Sequence, residues 1–353
     1  MFRRSKSVAG LDIGSSAVKA IELRASGKGF RVAAYGQASL PPDSIVDGAI
    51  IDAGAVTTAI REVFESHPQF KTKEVCASLS GNAVIVKKIT LPVMTEAELA
   101  QSIHWEAEQH IPFDIEDVNL DYQILESSGG SDAKGSMDVL LVAAKKDKIG
   151  DYTSVIAQAG RSPVIVDVDA FALQNAYEAN YGLEPNSVVV LLNAGASAIN
   201  INVLRGGRSV FTRDISMGGA SYTEALQKEL GIPYEDAEQL KKGTPVDGAT
   251  FEEALPIMHA MNENVLLEVQ KTFDFFKGTA DSDQIDRIVV SGGASRVDRF
   301  QEMLAERFGV AVEEFDPFKA IACDASILGA QPSDFAASAA VAVGLALRKV
   351  GDR

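Results

Sequence analysis

A short glycine-containing hairpin occurs twice in the chain, and this repeat limits the possible folds more than any other feature. The first hairpin joins two apolar strands and turns at Gly14, and the second turns at Gly195, 181 positions later. At the same offset, Asn193 takes the place of Asp12. A sequence pattern that recurs along a chain indicates that the same structural unit is built more than once. We therefore predict two related domains that face each other, each contributing one hairpin turn to a shared cleft.

The turn of the first hairpin has the residue types that bind a phosphate group. Ser15 and Ser16 follow Gly14, Asp12 lies near the end of the first strand, and Lys19 lies on the second. Such a turn brings main-chain N–H groups and hydroxyls together at one point. A single turn of this kind is more often an ordinary tight turn. The second copy is what favours a ligand-binding cleft.

Composition favours a globular protein of about two domains. Hydrophobic residues make up 46% of the 353 residues, and 49 acids against 33 bases give a net charge of −16, which disfavours nucleic acid as a partner. The sequence shows no run of about 18 apolar residues and no secretory signal. The two cysteines are far apart in apolar surroundings, and the four histidines lack metal-ligand spacing. We expect a cytoplasmic protein with reduced thiols and no zinc site.

Between the two hairpins, residues 82–169 show a different pattern of elements. They predict the order strand, helix, strand, strand, helix, strand, which is typical of a ferredoxin-like unit set into the first domain. Thr95 and Glu98 form a capping box where the first of these helices begins. Trp105, the only tryptophan, lies on the polar side of that helix. It marks either a partner surface or packing between domains, and the sequence leaves both open.

The second half of the chain carries three further motifs that suit a nucleotide cleft. Two glycines precede a predicted helix, an acid and a base share one helix face, and a strand runs into a glycine pair before another helix. The plain alternatives are a surface ion pair and ordinary strand-to-helix turns. In chain order the motifs are Gly218-Gly219, Glu238 with Lys241, and Gly292-Gly293 with Ser295 as the expected helix cap.

The order of these motifs resembles that of the superfamily containing actin, sugar kinases and heat-shock chaperones. The matching segments are Asp12-x-Gly14-Ser15 and Asn193-x-Gly195 for phosphate, Glu238-x-x-Lys241 for ribose, and Gly292-Gly293-Ala294-Ser295-Arg296 for adenosine. Over residues 8–350 the chain resembles the PilM family of type IV pilus assembly proteins. The features that carry this closer resemblance are the insert, Asp316-Pro317-Phe318 and the closing Gly344-Leu345-Ala346-Leu347-Arg348.

The resemblance implies an α/β, actin-like (ribonuclease H-like) two-domain fold with a βαββαβ inserted subdomain. Four subdomains would surround one ATP cleft. Residues 1–81, 170–186 and 316–353 would form subdomain 1A, 82–169 the inserted 1C, 187–215 and 278–315 subdomain 2A, and 216–277 the helical 2B.

The resemblance also implies roles for individual residues. Asp12 would hold Mg²⁺ through water, and Asp12 and Asn193 would be the catalytic positions. The residues around ATP would be Gly14, Ser15, Ser16, Lys19, Gly195, Gly218, Gly219, Glu238, Lys241, Gly292, Gly293 and Arg296. The family usually has aspartate at the position of Asn193, and a neutral amide is a poorer partner for Mg²⁺. We therefore expect ATP to act mainly as a structural or switching ligand with slow hydrolysis.

The implied partner is the cytoplasmic N-terminal tail of the membrane protein PilN, bound in a groove near the insert. The protein would then be peripheral at the inner membrane, as part of the pilus assembly platform, with self-association left open. One alternative is a small-molecule kinase of the same superfamily, in which Asp167 or Asp169 would serve as the base. Another is a cell-division scaffold like FtsA, which reaches the membrane with a C-terminal amphipathic helix of bulky apolar residues and bases. No aromatic residue follows Phe335, so we expect recruitment by a partner's tail instead.

Overall fold

The computed structural model describes residues 7–27, 29–125, 135–279, 284–325 and 331–352. The sheet of the first domain contains β1 (Ala9–Ile13), β2 (Ala17–Ser26), β3 (Gly29–Ser39), β6 (Glu74–Leu79) and β10 (Ser162–Val168). Its order is β3-β2-β1-β6-β10. The first three strands are antiparallel, and β6 and β10 join them in parallel. A small hairpin of β4 (Ile45–Val46) and β5 (Ala49–Ile50) follows β3.

The second domain repeats this topology. Its sheet contains β11 (Val188–Ala194), β12 (Ile199–Arg205), β13 (Arg208–Ile215), β14 (Arg287–Ser291) and β15 (Ala311–Glu314), in the order β13-β12-β11-β14-β15. Again three antiparallel strands are followed by two parallel ones. The central strand β11 is apolar and buried over most of its length, as expected for a strand covered on both faces. The predicted relationship between the two halves is confirmed.

The insert forms a separate three-stranded antiparallel sheet. It consists of β7 (Val84–Pro92), β8 (Val118–Leu125) and β9 (Ser136–Lys145), in the order β7-β9-β8. Helix α2 (Glu96–Glu108) covers one face and begins at the predicted capping box. Trp105 on this helix is 70% exposed. The interpretation that it packs between domains is therefore wrong.

The order of elements from β7 to β10 is as predicted, but the ferredoxin-like pairing is wrong. Strand β10 pairs in parallel with β6 in the sheet of the first domain. Helix α3 (Lys146–Gln158) buries Tyr152, Val155 and Ile156 in the core of that domain. The edge of β6 presents main-chain donors and acceptors that a parallel strand satisfies, and α3 covers the apolar face beneath.

Helices cover the two large sheets. In the first domain they are α1 (Ala53–Glu65), α3, α4 (Asp169–Tyr181) and α9 (Pro332–Leu347). In the second domain they are α5 (Gly219–Leu230), α6 (Tyr234–Lys241), α7 (Phe251–Thr279) and α8 (Phe300–Phe308). The apolar stripe predicted on α7 lies in the core of the second domain, as expected. Among the described helices, none has the length and apolar character needed to cross a bilayer.

Helices α4 and α9 pack very closely and hold the two sheets together. A Cβ atom added to Gly344 of α9 would lie 1.7 Å from the carbonyl oxygen of Ala172 in α4. One added to Gly10 of β1 would lie 2.1 Å from the carbonyl oxygen of Ala342. The cluster around α4 and α9 also contains Leu191 of the second sheet. The close packing therefore helps to fix the position of one hairpin relative to the other.

Candidate functional site

The first hairpin places an ion pair directly beside its turn. Asp12 of β1 lies opposite Lys19 of β2, and the Lys19 Nζ atom is 3.1 Å from the Asp12 carboxylate. Both side chains are largely buried, at 15% and 13% exposure. The main-chain N–H of Gly14 donates to the carbonyl oxygen of Ala17 at 3.1 Å and closes the turn. The structure thus brings together the carboxylate, the amine and the turn that the sequence singled out.

The second hairpin has the same turn with a neutral pair beside it. The N–H of Gly195 donates to the carbonyl oxygen of Ala198 at 2.9 Å, the counterpart of the bond in the first hairpin. Asn193 lies opposite Asn200, which occupies the position of Lys19 in the repeat. The Asn193 amide donates to Asn200 Oδ1 at 3.0 Å. Two amides therefore replace the carboxylate and the amine.

Helix α5 begins directly against the second hairpin. The N–H groups of Gly219 and Ala220 donate to the carbonyl oxygens of Gly195 and Ala196, at 2.9 and 2.8 Å. A Cβ atom on Gly218 would lie 2.6 Å from both of these oxygens. Only glycine fits there, since a side chain would collide with main-chain atoms. The structure therefore joins the predicted Gly218-Gly219 motif to the second hairpin.

Glu238 and Lys241 bind to each other and to the start of α5. Lys241 Nζ donates to the carbonyl oxygen of Gly219 at 2.8 Å and to Thr223 Oγ1 at 2.7 Å. Burial lowers the pKa of the Lys241 amine. Burial raises the pKa of Glu238, but Lys241 outweighs it, and the net pKa is lowered. The two side chains are only 24% and 10% exposed, so the interpretation as a surface ion pair is wrong.

Thr223 belongs to this cluster, and sequence reasoning missed it. Its hydroxyl donates to the Glu238 carboxylate, lies within hydrogen-bond distance of the carbonyl oxygen of Gly219, and accepts from Lys241. The residue is fully buried. The available signal was its spacing, since it lies four residues after Gly219 on the same helix face.

Gly292 and Gly293 follow β14 and approach the second hairpin. Gly292 has φ +85°, and a Cβ atom there would lie 2.2 Å from the carbonyl oxygen of Ala194. Gly293 faces open space. The predicted role of Ser295 as a helix cap is wrong, because its buried hydroxyl donates to the carbonyl oxygen of Gly292 inside a 3₁₀ helix. The left-handed backbone at Gly292 therefore ends β14, and the 3₁₀ helix Gly293–Arg296 separates β14 from α8.

Arg296 lies at the end of this 3₁₀ helix and contacts two other elements. Its guanidinium donates to the Glu314 carboxylate of β15 at 3.0 Å and to the carbonyl oxygen of Ser333 in α9 at 2.7 Å. Arg296 therefore connects the segment that resembles an adenosine-binding motif to the first turn of α9.

Asp169 is a further cleft residue, at the start of α4. Ser78 Oγ donates to its carboxylate at 2.5 Å. Burial, together with the nearby carboxylates of Asp12 and Asp214, raises the pKa of Asp169 to about 6. Asp167, the other acid considered as a kinase base, instead pairs with Arg348 at 3.2 Å. Of these two acids, Asp169 is the one whose pKa is raised by the Asp12 carboxylate.

The Asp169→Asn variant is expected to be more stable than the natural protein at neutral pH. A raised carboxyl pKa means that ionisation costs stability, and this cost grows as the pH rises from about 4 to about 6. The amide keeps the acceptor for Ser78 without the charge. We expect a gain of about 2 kcal/mol at pH 7.5 that shrinks towards zero near pH 4, measured by urea denaturation.

Asp138→Asn is the control for this series and has the opposite sign. Partial burial raises the pKa of Asp138, but Lys88 and Thr90 outweigh it and the pKa is lowered. Its stabilising contribution is present at neutral pH and is lost on acidification. A gain for Asp169→Asn that does not depend on pH would contradict the assignment of a buried charge.

Comparison with known proteins identifies the family. The family model for the type IV pilus assembly protein PilM matches residues 10–350. The chain belongs to the PilM family. The solved structure of a PilM–PilN type IV pilus biogenesis complex is 27% identical to this PilM-family chain, with a TM-score of 0.85 over 99% of this chain and 100% of that one. The family assignment favours pilus assembly over the division-scaffold and kinase alternatives.

Two more distant structures are evidence for the fold of this PilM-family protein and for nothing beyond the fold. The ethanolamine utilization protein EutJ of Carboxydothermus hydrogenoformans is 15% identical, with a TM-score of 0.57 over 98% of this chain and 90% of that one. MreB5 of Spiroplasma citri bound to AMPPNP is 14% identical, with a TM-score of 0.53 over 97% and 95%. The predicted actin-like two-domain fold is confirmed. The boundaries of the four subdomains stay a prediction.

Proposed function

We propose that this PilM-family protein is the cytoplasmic, ATP-binding component of a type IV pilus inner-membrane platform and docks the cytoplasmic N-terminal tail of PilN. The observation that carries the proposal is the full-length match to a structure described as a PilM–PilN complex. Membrane association would then be peripheral and would run through the partner.

The docking proposal is tested with PilN in membranes. Full-length PilN and PilN lacking its cytoplasmic tail are reconstituted in vesicles of the same lipid composition, and co-sedimentation of the purified chain is measured. We expect the chain to sediment with full-length PilN vesicles and to stay in the supernatant with the truncated form. Equal sedimentation with both would contradict tail docking. Protein-free vesicles provide the control for direct lipid binding.

The residues around the two hairpins support a nucleotide as the ligand of the cleft. Gly218 and Gly292 each approach the second hairpin too closely for any side chain. Gly293 leaves open space beside them, and Glu238 with Lys241 lies against Gly219. At Gly293, where an added Cβ atom meets nothing within 4 Å, the main chain is open to close approach by a flat base or a phosphate.

Asp12 and Lys19 supply the charges for Mg²⁺ and phosphate in this proposal. Carboxylate oxygen is the ligand type that Mg²⁺ prefers, usually with several retained waters. Asp12 would hold the ion through water, and the Lys19 amine beside it would offset phosphate charge. When bound, the ion would neutralise the charge that develops on the phosphates.

The Asn193→Asp variant is expected to hydrolyse ATP faster than the natural protein. Asn193 offers a neutral amide where a carboxylate would help to orient Mg²⁺ and the attacking water. We expect steady-state phosphate release to rise by about tenfold, with Asn119→Asp, on the exposed side of β8 in the insert, as the control for adding an acid elsewhere. An unchanged rate would count against the proposal that this amide keeps turnover slow.

A further inference from the structure

Asp214 of β13 connects the second domain to the base of the insert. Its Oδ2 atom accepts a hydrogen bond from the main-chain N–H of Gly81. Gly81 follows β6 of the first domain and opens the 3₁₀ helix, Gly81–Ala83, that leads directly into β7 of the insert. A carboxylate of one domain thus holds the point at which the insert leaves the other.

The same carboxylate is the end of a chain of hydrogen bonds from the second hairpin. Ser291 Oγ donates to Asn193 Oδ1 at 3.2 Å, and Asn193 Nδ2 donates to Asn200 Oδ1 at 3.0 Å. Asn200 Nδ2 then donates to Asp214 Oδ1 at 2.8 Å. We call these four side chains, with the Gly81 N–H, the relay. It runs from the turn of the second hairpin to the root of the insert.

The donor and the acceptor of every hydrogen bond in the relay are fixed by the Asp214 carboxylate at its end. An ionised carboxylate only accepts, so Asn200 must turn its NH₂ group towards Asp214 and its oxygen towards Asn193. Asn193 must then present its own NH₂ group to Asn200 and its oxygen to Ser291. A reversal of either amide places two oxygens, or two NH₂ groups, against each other. The relay therefore has one fully bonded arrangement, and it requires an amide at 193 rather than a carboxylate.

We propose that the relay couples occupancy of the cleft at Asn193 to the hydrogen bond that holds the root of the insert. A phosphate oxygen or metal-bound water that bonds to Asn193 competes with Ser291 and Asn200. A ligand that takes the Asn193 NH₂ group leaves Asn200 Oδ1 without its donor. Asn200 is then held at one end only, and the Asp214 carboxylate that it positions holds Gly81 less firmly. The identity of the ligand rests on the proposed function, whereas the relay itself does not. By thermodynamic reciprocity, a partner bound to the insert alters ligand affinity by the same factor.

The relay is tested without any ligand. A residue at its hairpin end is substituted, and amide exchange is measured at its other end, Gly81. Asn193→Asp removes the donor to Asn200, and hydrogen–deuterium exchange of the amides at 80–84 is followed by mass spectrometry. We expect exchange of the Gly81 amide to become about tenfold faster, as for loss of a hydrogen bond to a charged group. Asp214→Ala has the same effect, because it removes the oxygen that accepts from the Gly81 N–H. Asp298→Asn, in the second domain away from the relay, leaves the rate unchanged.

The double variant separates the relay from independent local effects. In an Asp214→Ala background, Asn193→Asp is expected to cause no further increase in Gly81 exchange. Additive increases, or an unchanged Gly81 rate in Asn193→Asp, overturn the relay. Thermal melting of each variant, followed by circular dichroism, shows that the fold is retained.

A second arm uses Mg-ATP as the probe. Saturating Mg-ATP is expected to change Gly81 exchange in the natural protein by threefold or more, and Asp214→Ala to bind Mg-ATP without this change. A change that persists in Asp214→Ala overturns the coupling. Absence of Mg-ATP binding by the natural protein overturns the ATP part of the proposed function and the coupling to it, and the ligand-free arm still decides the relay.

Discussion

Replacement of Asp12 by alanine is expected to weaken the binding of Mg-ATP by about 100-fold, or roughly 2.7 kcal/mol. The carboxylate lies beside the first hairpin turn and is largely buried with Lys19. Its removal takes away the proposed metal contact and leaves a hydrophobic methyl group in its place. The dissociation constant is measured by equilibrium dialysis with labelled ATP.

The metal dependence makes this prediction specific. The alanine variant frees the Lys19 amine, so a purely electrostatic contribution would strengthen the binding of metal-free ATP. We therefore expect the variant to bind ATP about equally with Mg²⁺ and with a chelator, whereas the natural protein binds much more tightly with Mg²⁺. Asp138→Ala removes another carboxylate paired with a lysine, Lys88, and is the matched control. Natural-like Mg-ATP affinity in Asp12→Ala would contradict the assignment.

Replacement of Gly344 by alanine is expected to destabilise the protein by about 3 kcal/mol or more. The added methyl group would lie 1.7 Å from the carbonyl oxygen of Ala172, a main-chain atom that cannot rotate away. Helices α4 and α9 must then move apart, which opens the core that they share with both sheets. The free energy of unfolding is measured by urea denaturation.

Gly150→Ala is the control for this substitution, since Gly150 also lies inside a helix. A Cβ atom there meets no atom within 4 Å. Alanine has the higher helix propensity, so this variant is expected to gain about 0.5 to 1 kcal/mol. Similar stability of the two variants would show that α4 and α9 are not in the close contact described.

The repeat of the two domains was predictable because it can be recognised from short sequence segments. The spacing of Gly14 and Gly195, with Asp12 and Asn193 at equivalent positions, required no knowledge of distant contacts. The apolar stripe of α7 was predictable for the same reason, since helical periodicity is local.

The pairing of β10 was not predictable, because it depends on a strand far away in the chain. Strand β10 matches the alternation of a fourth ferredoxin-like strand equally well, and the free edge of β6 decides where it binds. Relay residues such as Asn200 and Asp214 escaped prediction for a related reason. They lie on neighbouring strands, and only the register of β12 and β13 places them opposite each other.

The measurement that most directly tests the account is a calorimetric titration of Mg-ATP into the natural protein after removal of co-purified nucleotide. We expect saturation near one ATP per chain, because both hairpins of one chain are proposed to contact the same nucleotide. Absence of binding by well-folded protein would contradict it. The repeated hairpins would then be structural features, and the protein would be a docking scaffold that works without nucleotide.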